Sequence, residues 1–97
     1  MKNYQCLILL VPDIEESKID NIFDIVHKHA VVKDKERWGV KKMAYPVKQA
    51  ISRVNYVTAY YIVANIKAED TKKLEKDLLK NTDVIKVICV RTEGKDD

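Results

Sequence analysis

His27 and His29, Cys6 and Cys89, and Ser17 and Ser52 are the side chains of this 97-residue chain to test first for chemistry. The histidines are two residues apart, so a helix turns them to different faces and cannot offer both to one metal ion. Neither stands at a fixed ligand spacing from a cysteine. The cysteines lie inside apolar runs, where a buried free thiol is the usual state. They can face each other if the terminal strands are neighbours, but no disulfide is implied, and a reducing cytoplasm fits. Ser17 sits near a helix start, where a hydroxyl serves local capping. With Gly39 and Gly94 the only glycines, there is no glycine-rich loop to cradle a phosphate. Acyl-phosphate hydrolysis would need an Arg in a phosphate-binding loop, whereas the first loop, Val11 to Glu16 (VPDIEE), carries acid and repels phosphate. Acids elsewhere alternate with lysines, as in Glu75-Lys76-Asp77, which describes a solvated face. Catalysis, a metal and a cofactor are all unexpected here.

Charge distribution tells more than the inventory. The formal charge is only +3, yet residues 33 to 53 carry Lys33, Lys35, Arg37, Lys41, Lys42, Lys48 and Arg53 against Asp34 and Glu36 alone. A basic region on a nearly neutral body is a nucleic-acid signal. Inside it lies WGVKKMAYPVK, Trp38 to Lys48. Lys41 and Lys42 are adjacent and on a regular strand point to opposite faces, so at least one ammonium must reach outward. Flexible lysines of this kind position a phosphate backbone without reading bases. The apolar residues of the same ribbon, Trp38, Val40, Met43, Tyr45 and Pro46, form a surface suited to a protein neighbour. Lysines that merely keep an edge strand soluble are the plainer alternative.

The elements that must position this ribbon follow from periodicity. Asn3 to Val11 is a β-rich run apolar at nearly every position from Cys6, which suggests a central strand. The amino end lacks a small-residue cleavage site and reads as that strand, not as a signal peptide. Asp13 with Glu16 can form a capping box. Ile19, Ile22, Phe23, Val26 and Ala30 then recur at helical spacing. Residues 33 to 36 (KDKE) read as a charged link, and Arg37 to Val47 as extended chain ending at Pro46, which suits an edge strand or a strand end. Lys48 to Asn55 is a polar turn, and Asn55 to Ile66 the most β-prone run. A second helix over Asp70 to Lys80 is anchored by Leu74 and Leu78. Val84 to Arg91 is the last strand, and a short polar tail from about residue 92 is expected to fray.

The order β-α-β-β-α-β makes one α+β domain over residues 1 to 97. Neither helix can bury its stripe alone, so both should cover one face of a four-stranded antiparallel sheet. Right-handed crossovers favour the ferredoxin-like split β-α-β arrangement, with the first and third strands central. One face of the third strand carries Tyr56, Thr58, Tyr60 and Ile62, the other Val57, Ala59, Tyr61 and Val63. An RNA-recognition module would stack bases on such aromatics. The glycine-containing aromatic signatures of that module are missing.

The chain resembles the bacterial small-subunit ribosomal protein S-six family over essentially its whole length. The residues that carry the likeness are Trp38-Gly39, Lys41-Lys42 and Ala44-Tyr45-Pro46-Val47-Lys48, supported by Tyr4, Tyr60-Tyr61-Ile62-Val63, Leu74-Glu75-Lys76-Asp77-Leu78 and Asp83-Val84-Ile85-Lys86-Val87. The resemblance implies a non-catalytic, ferredoxin-like component of the small ribosomal subunit in the cytoplasm. It further implies binding to the central domain of small-subunit rRNA together with small-subunit ribosomal protein eighteen. By position, the family's basic pair falls on Lys41 and Lys42, its amino-terminal base on Lys2, and a base beside the last strand on Lys86. With Lys48 these are the expected RNA contacts. A ligand-sensing or regulatory domain that self-associates through its open sheet is the competing reading.

Overall fold

In a computed structural model, which describes residues 1–92, the six expected elements occur in the expected order. They are β1 (Lys2–Leu10), α1 (Glu16–His29), β2 (Val31–Lys48), β3 (Asn55–Ala68), α2 (Lys72–Leu79) and β4 (Val84–Arg91). The strands form one antiparallel sheet in the order β2-β3-β1-β4, so β1 and β3 are central. Of the tail expected to fray from about residue 92, Thr92 is held, its amide bonded to the Asn3 carbonyl at 2.9 Å, and residues 93–97 lie outside the described residues.

Alternation along the central strands divides the apolar residues between two layers. Cys6, Ile8 and Leu10 of β1 and Ile62, Ala64 and Ile66 of β3 face the helices, where they pack with Ile19, Ile22, Phe23, Val26, Leu74 and Leu78. The opposite face has a smaller buried cluster of Leu9, Val11, Ala59, Ile85 and Met43. Met43 comes from β2, and its burial there is what shapes the ribbon described below.

Two local expectations are corrected. Asp13 and Glu16 do not form a capping box: Glu15 is the N-cap of α1, and no side chain caps that end. Residues 11–14 are instead held in a turn, with the Val11 amide bonded to the Asp83 carbonyl at 2.9 Å and the Ile14 amide to the Val11 carbonyl at 3.2 Å. Ile14 packs against both clusters, so its burial, not a polar cap, sets where the helix begins. The Glu16 carboxylate is taken up by Arg37, whose guanidinium also donates to Asp20 at 2.6 Å.

The second correction concerns KDKE, which is no link. β2 starts at Val31 and runs for 18 residues. An edge strand pairs on one side only and accepts charge freely. Here Lys35 and Arg37 lie opposite Ala64 and Ile62 on the helix side, while Asp34 lies opposite Asn65 and accepts from its amide at 2.7 Å. The Lys35 ammonium sits 4.9 Å from the Phe23 ring centroid.

Candidate nucleic-acid interface

Three register shifts against β3 distort β2, and they decide where the ribbon's side chains go. The first lies at Lys33 and the second at Trp38, where Gly39 takes φ +85. A left-handed glycine next to an extra residue is a recurring bulge that raises local twist. The third is the largest: Lys42 pairs with Thr58 and Val47 with Tyr56, so residues 43–46 stand opposite Val57 alone. Pro46, which has no N–H for a ladder, falls inside this bulge on an edge strand.

The large bulge folds Met43 down onto the sheet, where it is 7% exposed, and lifts Tyr45 outward at 65%. Beside them a groove of about 150 Å³ runs across the open face toward β4, lined by Leu7, Leu9, Tyr45, Tyr61, Lys86 and Ile88 among others. Gln49 fixes the far end of the ribbon. Fully buried, it donates from Nε2 to the Val84 carbonyl at 3.0 Å and accepts at Oε1 from the amides of Ile51 and Ser52. One side chain thus holds the β2–β3 turn against the start of β4. Sequence reading missed Gln49 because a glutamine in a polar turn carries no mark of burial.

Directly opposed residues of antiparallel strands share a face. Lys41, opposite Ala59, therefore belongs to the open face, and Lys42, opposite Thr58, to the helix side. The Lys41 ammonium lies 5.7 Å from the Trp38 ring centroid, and the Trp38 Nε1 donates to Glu36 at 2.8 Å. Lysine, indole and carboxylate thus form a short polar and aromatic chain on the open-face rim. Val40, opposite Tyr60, stands with Lys42. The expected single apolar patch of Val40, Met43 and Tyr45 is therefore divided, with Met43 committed to the protein's own packing. Lys48 and Pro46 are exposed near the turn, and Lys86 lines the same groove as Tyr45. Lys2 is not part of this surface: it pairs with Ala68, ten residues along β3 from Thr58 and so roughly 30 Å away.

The tyrosines of the central strands do not make a base-stacking platform. Tyr4 and Tyr60 pack under the helices, and Tyr61 is half-buried on the open face beside Met43. Arg37, the one arginine in β2, is held by Glu16 and Asp20. Of the two histidines, His27 is exposed, and His29 meets Asp77 at 2.8 Å between the helices. Among the described residues, no group of three or more His, Cys, Asp or Glu is arranged to hold a metal ion.

With this geometry in view, known proteins resolve the identity of the framework. A family model described as Ribosomal protein S6 matches residues 3–91. The chain belongs to that family. Relatives named small ribosomal subunit protein bS6 include one from Clostridium novyi, 31% identical over 96% of this chain and 99% of its own length. Another, from Acidiphilium cryptum, is 27% identical over the whole chain, which spans 62% of that relative's length. The crystal structure of 30S ribosomal protein S6 from Thermotoga maritima superposes with a TM-score of 0.73 over 94% of this chain and 87% of that one, at 16% identity. Membership makes the protein a structural, non-enzymatic component of the small ribosomal subunit, at work on the cytoplasmic ribosome. The structural likeness bears out the ferredoxin-like fold.

Proposed function

We propose that the chain binds the central domain of small-subunit rRNA together with small-subunit ribosomal protein eighteen, using β2 and the groove beside it. The observation that carries this reading is the large bulge of β2. By burying Met43 it turns Tyr45 outward beside Lys86, on the open face that also carries Lys41, joining cationic and apolar groups on one exposed surface, with Lys48 exposed at the end of the strand. The lysines supply phosphate contacts, which position a backbone without reading sequence. Trp38, Tyr45 and Pro46 supply apolar area for the protein neighbour, with Val40 and Lys42 on the helix-side rim of the same strand. Lys2, at the other end of the sheet, needs a separate stretch of RNA to contribute.

A net charge of +3 supports shared rather than solitary binding. Electrostatic affinity grows with the number of phosphates neutralised, so few contacts give weak binding at physiological salt. A second protein on the ribbon adds its own contacts, and the coupling between the two must be reciprocal. The test titrates labelled central-domain rRNA at fixed salt with this chain, with protein eighteen, and with both. Tight binding is expected only from the mixture. If this chain alone binds as tightly as the mixture, the partnership fails and the ribbon is a self-sufficient RNA site.

A further inference from the structure

Cys6 and Cys89 stand directly opposite each other on β1 and β4. Both are free thiols, Cys6 within the helix-side core and Cys89 half-buried at its margin. Directly opposed residues in antiparallel strands have Cα atoms about 4.5–5.5 Å apart. Disulfides span about 4.4–6.8 Å between Cα atoms, so the spacing of this directly opposed pair falls within the range a disulfide bridges. The thiols already hydrogen-bond to one another, and the Glu75 carboxylate faces the pair from α2, where it also accepts from Thr71 at 2.7 Å.

We propose that Cys6 and Cys89 are an oxidisable dithiol, closed to an intramolecular disulfide by hydrogen peroxide and reopened by a dithiol reductant. Peroxide reaches Cys89 first, since Cys6 is fully enclosed. The Cys89 sulfur attacks the O–O bond and keeps one oxygen as a sulfenic acid, while the other leaves as hydroxide and takes the thiol proton to become water. Cys6 then attacks the Cys89 sulfur: the S–S bond forms, the S–O bond breaks, and the hydroxyl leaves with the Cys6 proton as a second water. Two thiols are oxidised and one peroxide is reduced.

The surroundings grade the two sulfurs. The hydrogen bond from Cys89 lowers the Cys6 thiol below its ordinary range, which suits it to the resolving attack. Contact with Cys6, burial and the charge of Glu75 raise Cys89. Its thiolate is scarce, and only sustained peroxide closes the pair. Closure ties β4, an edge strand, covalently to the central β1. Reactive pairs of this kind in reducing compartments are transient rather than structural.

The experiment treats the folded full chain with hydrogen peroxide, then counts free thiols by alkylation and weighs the intact protein. Both thiols should be lost with two hydrogens and no dimer, both should return with dithiothreitol, and amide exchange in β4 should slow in the closed form. Cys89→Ser should leave Cys6 unoxidised. Glu75→Gln, which removes the opposing charge and its carboxylate contact with Cys89 while leaving both cysteines in place, should speed closure several-fold. Thiols that still titrate after peroxide, or that end as sulfinic acid or intermolecular dimer, would overturn the proposal, as would an unchanged closure rate in Glu75→Gln.

Discussion

Lys41 and Lys42 are adjacent in sequence, yet their surroundings differ. Lys41 lies against the Trp38 ring on the open face, while Lys42 belongs to the helix-side rim. Replacing both with Ala should leave the fold intact and weaken assembly with RNA. The slope of log affinity against log salt should flatten by up to about two units. An unchanged slope with reduced affinity would assign the pair to protein contact instead. A different residue-scale effect attaches to Asp77. The hydrogen bond from His29, reinforced by Lys28 and Lys80, holds its carboxyl below the ordinary 3.8. A depressed folded-state value means the unfolded chain binds more protons in that interval, so stability rises with pH across it. The contribution is complete above 3.8 and is lost as pH falls through the lower folded value. Acid unfolding followed for wild type and Asp77→Asn should therefore show a stability difference above that range that closes on acidification. Parallel curves at every pH would remove the pair from the account.

The elements differ in how far local pattern determines them. Both helices were legible because Ile19, Ile22, Phe23 and Val26, and then Leu74 and Leu78, keep a helical period and do become buried. β1 and β3 were legible from their apolar runs. β2 was legible only from Arg37 onward, as extended chain suited to an edge: its charged first third follows no burial pattern, since an edge strand outside the core imposes none, and its bulges break the two-residue period. Nor could the ribbon's grouping be read in advance. That Val40 parts from Tyr45 while Lys86 joins it depends on strand register and on the packing of Met43, both tertiary facts. Gly39 is where local geometry and this element meet. No atom lies within 4 Å of where its Cβ would be, so space is no obstacle, but its φ of +85 is. Gly39→Val should cost about 1–2 kcal/mol through the left-handed backbone alone. Gly39→Asn, a residue that tolerates this region, should recover most of it. Urea denaturation checks both, and equal midpoints for Val and Gly would mean that the bulge relaxes without penalty.

At the scale of the whole molecule, the sheet has one face under helices and the other part-filled by the protein's own β2 segment through Met43. That reduces, at the Met43 end, the open sheet available for self-association. The free protein should be monomeric by size exclusion with light scattering and should join a complex when rRNA and protein eighteen are added. A stable homodimer indifferent to both would instead favour the regulatory-domain reading. The strand order has one further consequence, and it concerns time. β1 pairs on one side with β3 and on the other with β4. During synthesis its first edge stays open until β3 emerges and its second until β4 does. At about 5–20 residues per second, the apolar side chains from Cys6 to Val11 wait on the order of 4–20 s for their last neighbour. The β2–β3 hairpin, joined by a short turn, can form well within that wait. A nascent chain of this protein should therefore expose its ribbon early while β1 is still only half enclosed, and a stall before residue 84 would leave an unpaired apolar strand edge within reach of any chain growing beside it.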